Sequence, residues 1–222
     1  MNTANLFEQA IALFETDPIG IPGFPENVIE TYSGRFVDLS NPQPDSIYLP
    51  DILRGLENSN RYAGQSCQPF SVARHTEFGC RILEHFMDLG VLDEELLVHF
   101  VVHDFHEAYM GECPSPLKRL LSGYKEVSQD LDGAIYDCFR LPDMTEEQKW
   151  QVRVVDLLAL CAERLSLYGE VDTVSNNWGF SPGMWEMAAQ FVFDASDDYL
   201  EGCGKNAQWH DAFRKRCEGM LL

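Results

Sequence analysis

One stretch limits what this chain can fold into. Residues 96–102 (Leu-Leu-Val-His-Phe-Val-Val) read as the buried side of a helix, which then runs into His103, Asp104 and Glu107. Positions three and four apart share a helix face, so Glu107 is expected beside both polar neighbours. An imidazole and two carboxylates in so apolar a setting are costly to bury without partners. A divalent cation would offset that cost, since neutral imidazole and carboxylate oxygen both ligate such ions. Gly111 can close the helix, and Pro114-Ser115-Pro116 cannot continue it. Lys118 then stands just past a rigid turn, where its ammonium could face a phosphate.

The surrounding pattern is helical from residue 50 onward. Pro50 opens a helix that ends near Asn60. Ser71 as N-cap and Gly90 as C-cap bound a helix that carries His75. Asp93 caps the helix of the opening stretch, which is expected to run unbroken to Gly111. A further helix spans about Gly123 to Leu141, and Thr145 with Gln148 makes a capping box for one that ends near Gly169. Two more are expected over 183–201 and 206–218, and a short one over 4–15. Residues 29–39 have some strand character, with a hairpin around Gly34. The fold class is therefore all-α, with residues 1–49 as an irregular N-terminal extension and 50–222 as the helical domain.

A second anomaly lies at Asp156, inside Val152-Arg153-Val154-Val155-Asp156-Leu157-Leu158-Ala159-Leu160. Arg153 or a backbone donor could satisfy it; a metal shared with His103 and Asp104 is the sharper reading. His75 supplies a fourth donor from another helix. His99 reads as a core residue, His106 as facing solvent or supporting a ligand, and His85 and His210 as surface residues.

Composition narrows the class. A net charge of −20 leaves no cation excess to neutralise a nucleic-acid backbone, although a small anion remains possible. Seven cysteines without Cys-x-x-Cys spacing read as reduced thiols in a cytoplasmic protein. No apolar run reaches the ~18 residues of a membrane span, and the N-terminus does not read as a signal peptide. Trp178, Trp185 and Trp209 near the C-terminus are expected to pack on the core or to form a homo-oligomer face.

The order His75, His103-Asp104, Asp156 resembles the ligand set of the HD-domain metal-dependent phosphohydrolases. Residues Val102 to Glu107 and Gly111 to Lys118 resemble the core of the single-domain 5′-deoxynucleotidases and of the phage dATP triphosphohydrolases, and Arg61-Tyr62 resembles their substrate-binding Arg-Trp pair. The likeness covers roughly residues 50–168. It implies an HD-type helical bundle with one divalent ion (Mn, Co, Zn or Fe) on His75, His103, Asp104 and Asp156. It implies Arg61, Tyr62 and Lys118 on a nucleotide, and Glu107 and Glu112 as catalytic carboxylates. The implied activity is phosphate release from a deoxynucleoside 5′-monophosphate by a metal-activated water. Triphosphate release from a dNTP is the enzymatic alternative, and an idle HD module used for binding is the other. The sequence departs from the family at Glu112, where an Asp is usual, at Tyr62, where a Trp is usual, and at Arg74, which precedes the first His in place of Glu or Gln.

Overall fold

The computed structural model describes residues 26–168, 178–192 and 203–222, and these are mostly helical. The expected helix over 4–15 lies outside the described residues. The hairpin is present: β1 (Val28–Glu30) pairs antiparallel with β2 (Phe36–Asp38), Ile29 opposite Val37. It is tied down by Asp51 of the first helix, whose carboxylate accepts from the Thr31 hydroxyl at 2.7 Å, the Ser33 hydroxyl at 2.6 Å and the Ser33 amide at 2.9 Å. Val37 is fully buried in the same core as the helices.

Helix α1 (Leu49–Asn58) has Pro50 in its first turn and buries Leu49, Ile52, Leu53 and Leu56. Helix α2 (Val72–Asp88) starts where the Ser71 hydroxyl accepts the Arg74 amide at 3.1 Å. Then come α3 (Leu96–Val102), α4 (Glu107–Met110), α5 (Ser115–Lys118) and α6 (Tyr124–Phe139). The long α7 (Glu146–Tyr168) opens on the expected capping box, with Thr145 and Gln148 bonded reciprocally at 2.9 and 3.2 Å. Two helices close the described chain, α8 (Pro182–Ala188) and α9 (Cys203–Leu221). The helix expected over 183–201 is therefore shorter: a single 3₁₀ turn over Ala189–Phe191 follows α8, and 193–202 lie outside the described residues.

Helix α2 lies at the centre, packed by α1, α3, α7 and α9. Two glycines allow close crossings. A Cβ on Gly55 of α1 would lie 2.6 Å from the Ala108 carbonyl oxygen of α4, and one on Gly79 of α2 would lie 2.3 Å from Cζ of Phe100 on α3. Arg216 of α9 clamps α2 from outside, with Nε 2.7 Å from Glu77 and Nη1 2.6 Å from Glu84.

One expectation is overturned where it matters most. The opening stretch is not one helix: it begins at Leu96 rather than at Asp93, and it breaks between α3 and α4. The His103 ring Nδ1 sits 2.6 Å from the Phe100 carbonyl, the acceptor an α-helix would give to the Asp104 amide. The chain tightens there to three-residue spacing, with Phe105 bonded to Val102 at 3.0 Å and Glu107 to Asp104 at 3.0 Å. At that spacing Asp104 aligns with Glu107, while the His103 ring stays against the Asp104 carboxylate.

Candidate metal centre

Three elements converge on one point beside α2. His75 comes from α2 and is fully buried, His103 and Asp104 come from the tightened turn, and Asp156 comes from α7. The Nε2 of His75 lies 3.6 Å from Asp104 Oδ2 and 3.4 Å from Asp156 Oδ1. The Nε2 of His103 lies 3.1 Å from Asp104 Oδ2, and the two rings are 5.6 Å apart at their centroids. Donor atoms about 2.1 Å from a common ion stand about 3.0 Å apart at right angles and about 3.4 Å apart at tetrahedral angles. The observed separations match the edges of one coordination sphere.

The two imidazoles are prepared for that role. Each commits its Nδ1 elsewhere, His75 to Glu163 Oε1 at 2.5 Å and His103 to the Phe100 carbonyl. Carbonyls and carboxylates only accept, so Nδ1 carries a proton and Nε2 is the nitrogen turned toward the carboxylates, where a cation would find its lone pair. Both Nε2 atoms are buried without a hydrogen-bond partner. A buried orphan of this kind costs about 1–3 kcal/mol. Two imidazole nitrogens with two carboxylate oxygens fit a divalent cation of the borderline kind.

The electrostatics follow from the same contacts. Burial and Arg61 push the His75 ring down, but Glu163 and Asp156 outweigh them and bring it up to about 9. Burial alone would raise the Asp156 carboxyl; the His75 and His103 rings pull it to about 2. Asp104 is likewise held well below the usual carboxylate range, against burial, by His103, His75 and Arg61. The other oxygen of Asp156 takes Arg153 Nη1 at 2.6 Å, so the alternative partner read from the sequence is also present.

Glu107 stands one short turn beyond, almost wholly buried. Burial and the Asp104 charge push its carboxyl up to about 7, against the pull of Lys118. Its Oε1 accepts from Lys118 Nζ at 2.8 Å, and its Oε2 is buried with no partner. Asp104 stands between two possible donor groups, because it also gathers with His106 and Glu107, while His75, His103 and Asp156 form the other. His106 does not face solvent: it is 8% exposed, and its Nδ1 meets Asp132 of α6 at 2.9 Å.

Arg61 is buried with Nη1 3.7 Å from Asp104 and Nε 3.3 Å from Glu163. The Tyr62 hydroxyl donates to the same Glu163 oxygen, Oε2, and leaves Oε1 to His75. Tyr62 and Ala63 both have positive φ, 61° and 50°, a left-handed conformation that side chains rarely adopt. Glu112 is half-buried, its amide donating to the Ser59 hydroxyl at 2.9 Å; burial raises its carboxyl while Arg61 and Lys118 lower it. The nine residues singled out in the sequence thus gather in one region.

One residue of the site was not read from the sequence. Glu163, fully buried, joins His75, Arg61 and Tyr62. Its one signal was its place two helical turns after Asp156, on the same face of α7 and among apolar neighbours. Arg74 is the largest fully buried side chain among the described residues, its guanidinium 4.8 Å from the Phe70 ring and 5.4 Å from that of Trp209. His210 is half-buried rather than on the surface, with Nε2 2.9 Å from the Ser71 hydroxyl. No helix among the described residues is long and apolar enough to cross a membrane.

Comparison with known proteins gives two relatives. The uncharacterized protein YfdR of Escherichia coli (strain K12) is 31% identical over 139 residues, 63% of this chain and 71% of that protein. The uncharacterized protein RCAP_rcc00048 of Rhodobacter capsulatus is 29% identical over 147 residues, 63% of this chain and 74% of that protein. No family model matches the chain.

Proposed function

Given that the chain belongs to the same family as Escherichia coli YfdR, we propose that it is an HD-type, metal-dependent phosphohydrolase acting on a (deoxy)nucleotide. The observation that carries this reading is the pair of buried, unpartnered imidazole Nε2 atoms facing Asp104 and Asp156. His75, His103, Asp104 and Asp156 would hold one divalent ion. Such an ion, when bound, supplies an activated water and polarises a phosphoryl oxygen.

The remaining work belongs to the chain's own side chains. Arg61 and Lys118 flank Asp104 and Glu107, and they neutralise phosphate oxygens there. Glu107 holds or passes a proton at its free Oε2, and a carboxyl near 7 is matched to that task at neutral pH. Glu112 borders the same space with a second unpartnered oxygen. Tyr62 offers a ring against a base or sugar.

The favoured substrate is a deoxynucleoside 5′-monophosphate. Arg61 and Lys118 are each already paired with a buried carboxylate, which suits one phosphate better than three. A nucleotide panel with Mn or Co added, followed by product identification, tests this. Inorganic phosphate from monophosphates is the expected result. Triphosphate from dNTPs would move the activity to the alternative class, and a metal-loaded protein that turns over no nucleotide would leave a binding module.

A further inference from the structure

We propose that Glu163 is a positioning residue that couples the metal ligands to the substrate clamp. The inference rests on the reading of His75 as a ligand and of Arg61 and Tyr62 as the clamp. Glu163 is fully buried, and an ionised carboxylate in such a place is costly unless several donors meet it. Here the donors come from two separate elements. Oε1 accepts Nδ1–H of His75 on α2 at 2.5 Å, while Oε2 accepts the Tyr62 hydroxyl and lies 3.3 Å from Arg61 Nε, both in the 61–64 turn. One rigid planar group therefore sets the direction of the His75 lone pair and the place of the clamp.

The backbone of that turn makes the coupling matter. Two successive left-handed residues, Tyr62 and Ala63, persist only where the surroundings over-determine them. The Arg61 amide on the Phe70 carbonyl at 2.8 Å and the Gln65 amide on the Tyr62 carbonyl at 3.0 Å hold the turn from its backbone. Glu163 holds it from its side chains. Fixing His75 fixes the carboxylate, and fixing the carboxylate orders the turn. Such coupling is reciprocal: what tightens one site tightens the other by the same factor.

Glu163→Gln keeps the shape and removes the charge. Co(II) titration should show binding weakened by about 10–100-fold, with a shifted visible spectrum. In the parent, Co(II) should slow amide exchange at Arg61 and Gln65 more than at Arg140 and Leu141, which lie outside the site; in Glu163→Gln that difference should vanish. Equal Co(II) affinity and an unchanged spectrum in a folded Glu163→Gln protein would remove Glu163 from this role and leave the metal centre standing. A parent that binds no Co(II) would remove the metal centre and this inference with it. If Glu163→Gln does not fold, the parent alone decides: exchange at 61–65 that ignores Co(II) overturns the coupling.

Discussion

Gly79→Ala tests how tightly the donor cluster depends on its packing. A methyl group at residue 79 would lie 2.3 Å from Phe100 Cζ and 2.4 Å from Cε1, far inside van der Waals contact. Phe100 is fully buried, so its ring cannot move out into solvent without leaving the core. Its ring stacks on His103 with centroids 4.5 Å apart, so a displaced Phe100 presses on a residue of the candidate metal centre. Overpacking of this kind costs about 1–3 kcal/mol. Alanine returns about 0.8–1 kcal/mol of helix propensity at an interior position. The balance is a net loss of about 0–2 kcal/mol, which for a domain of this size lowers Tm by up to roughly 8 °C. Thermal denaturation and Co(II) titration of the same preparation should show both a lower Tm and weaker metal binding. Adding Phe100→Leu makes room for the methyl group, so the double variant should be more stable than the sum of the single effects by about 0.5–3 kcal/mol. A Gly79→Ala protein as stable as the parent, with unchanged Co(II) affinity, would refute the chain of contact from α2 through Phe100 to His103.

Metal alone should raise Tm by roughly 5–11 °C at a concentration 100 times Kd, because binding there contributes about 2.7 kcal/mol; differential scanning fluorimetry reads this, and Asp156→Ala should abolish it. Glu107→Ala should keep one metal per chain and lose about 10²–10⁴ in kcat; near-parental turnover would end its catalytic role, and lost metal would make it a ligand. Arg61→Ala should lower kcat/KM by two orders of magnitude, about 3 kcal/mol, while stoichiometry at saturating metal stays at one ion per chain. Unchanged kcat/KM toward the best nucleotide would take Arg61 off the substrate.

Much of the helical frame was legible because its signals are local. Ser71 caps α2, Thr145 and Gln148 open α7, and Gly111 at φ +75° ends α4 where a glycine was expected to end a helix. The adjacent His103-Asp104 pair advertised itself by being polar inside an apolar run. The break at 103–106 was not legible, because it turns on one ring nitrogen taking one carbonyl. Glu163 was hidden for a different reason. Its partners Tyr62 and His75 are 101 and 88 residues away, and a single Glu in a helix ordinarily reads as an exposed position. The solvent-facing reading of His106 fails in the same way, since Asp132, which draws it inward, comes from another helix.

The clamp of Arg216 on α2 also has a meaning in time. It joins residues 139 and 132 apart in the chain. At a synthesis rate of about 5–20 residues per second, α2 leaves the ribosome roughly 7–28 s before the helix that will cover it. Glu77 must spend that interval without Arg216. Arg81, one turn along and 3.1 Å away in the finished fold, is made almost at once and can hold the charge meanwhile. The elements that carry His75, His103, Asp104 and Asp156 are all complete before α9, with its buried Phe213 and Cys217, arrives to close the core. Synthesis order therefore assembles the donor cluster first and seals the helix beneath it last.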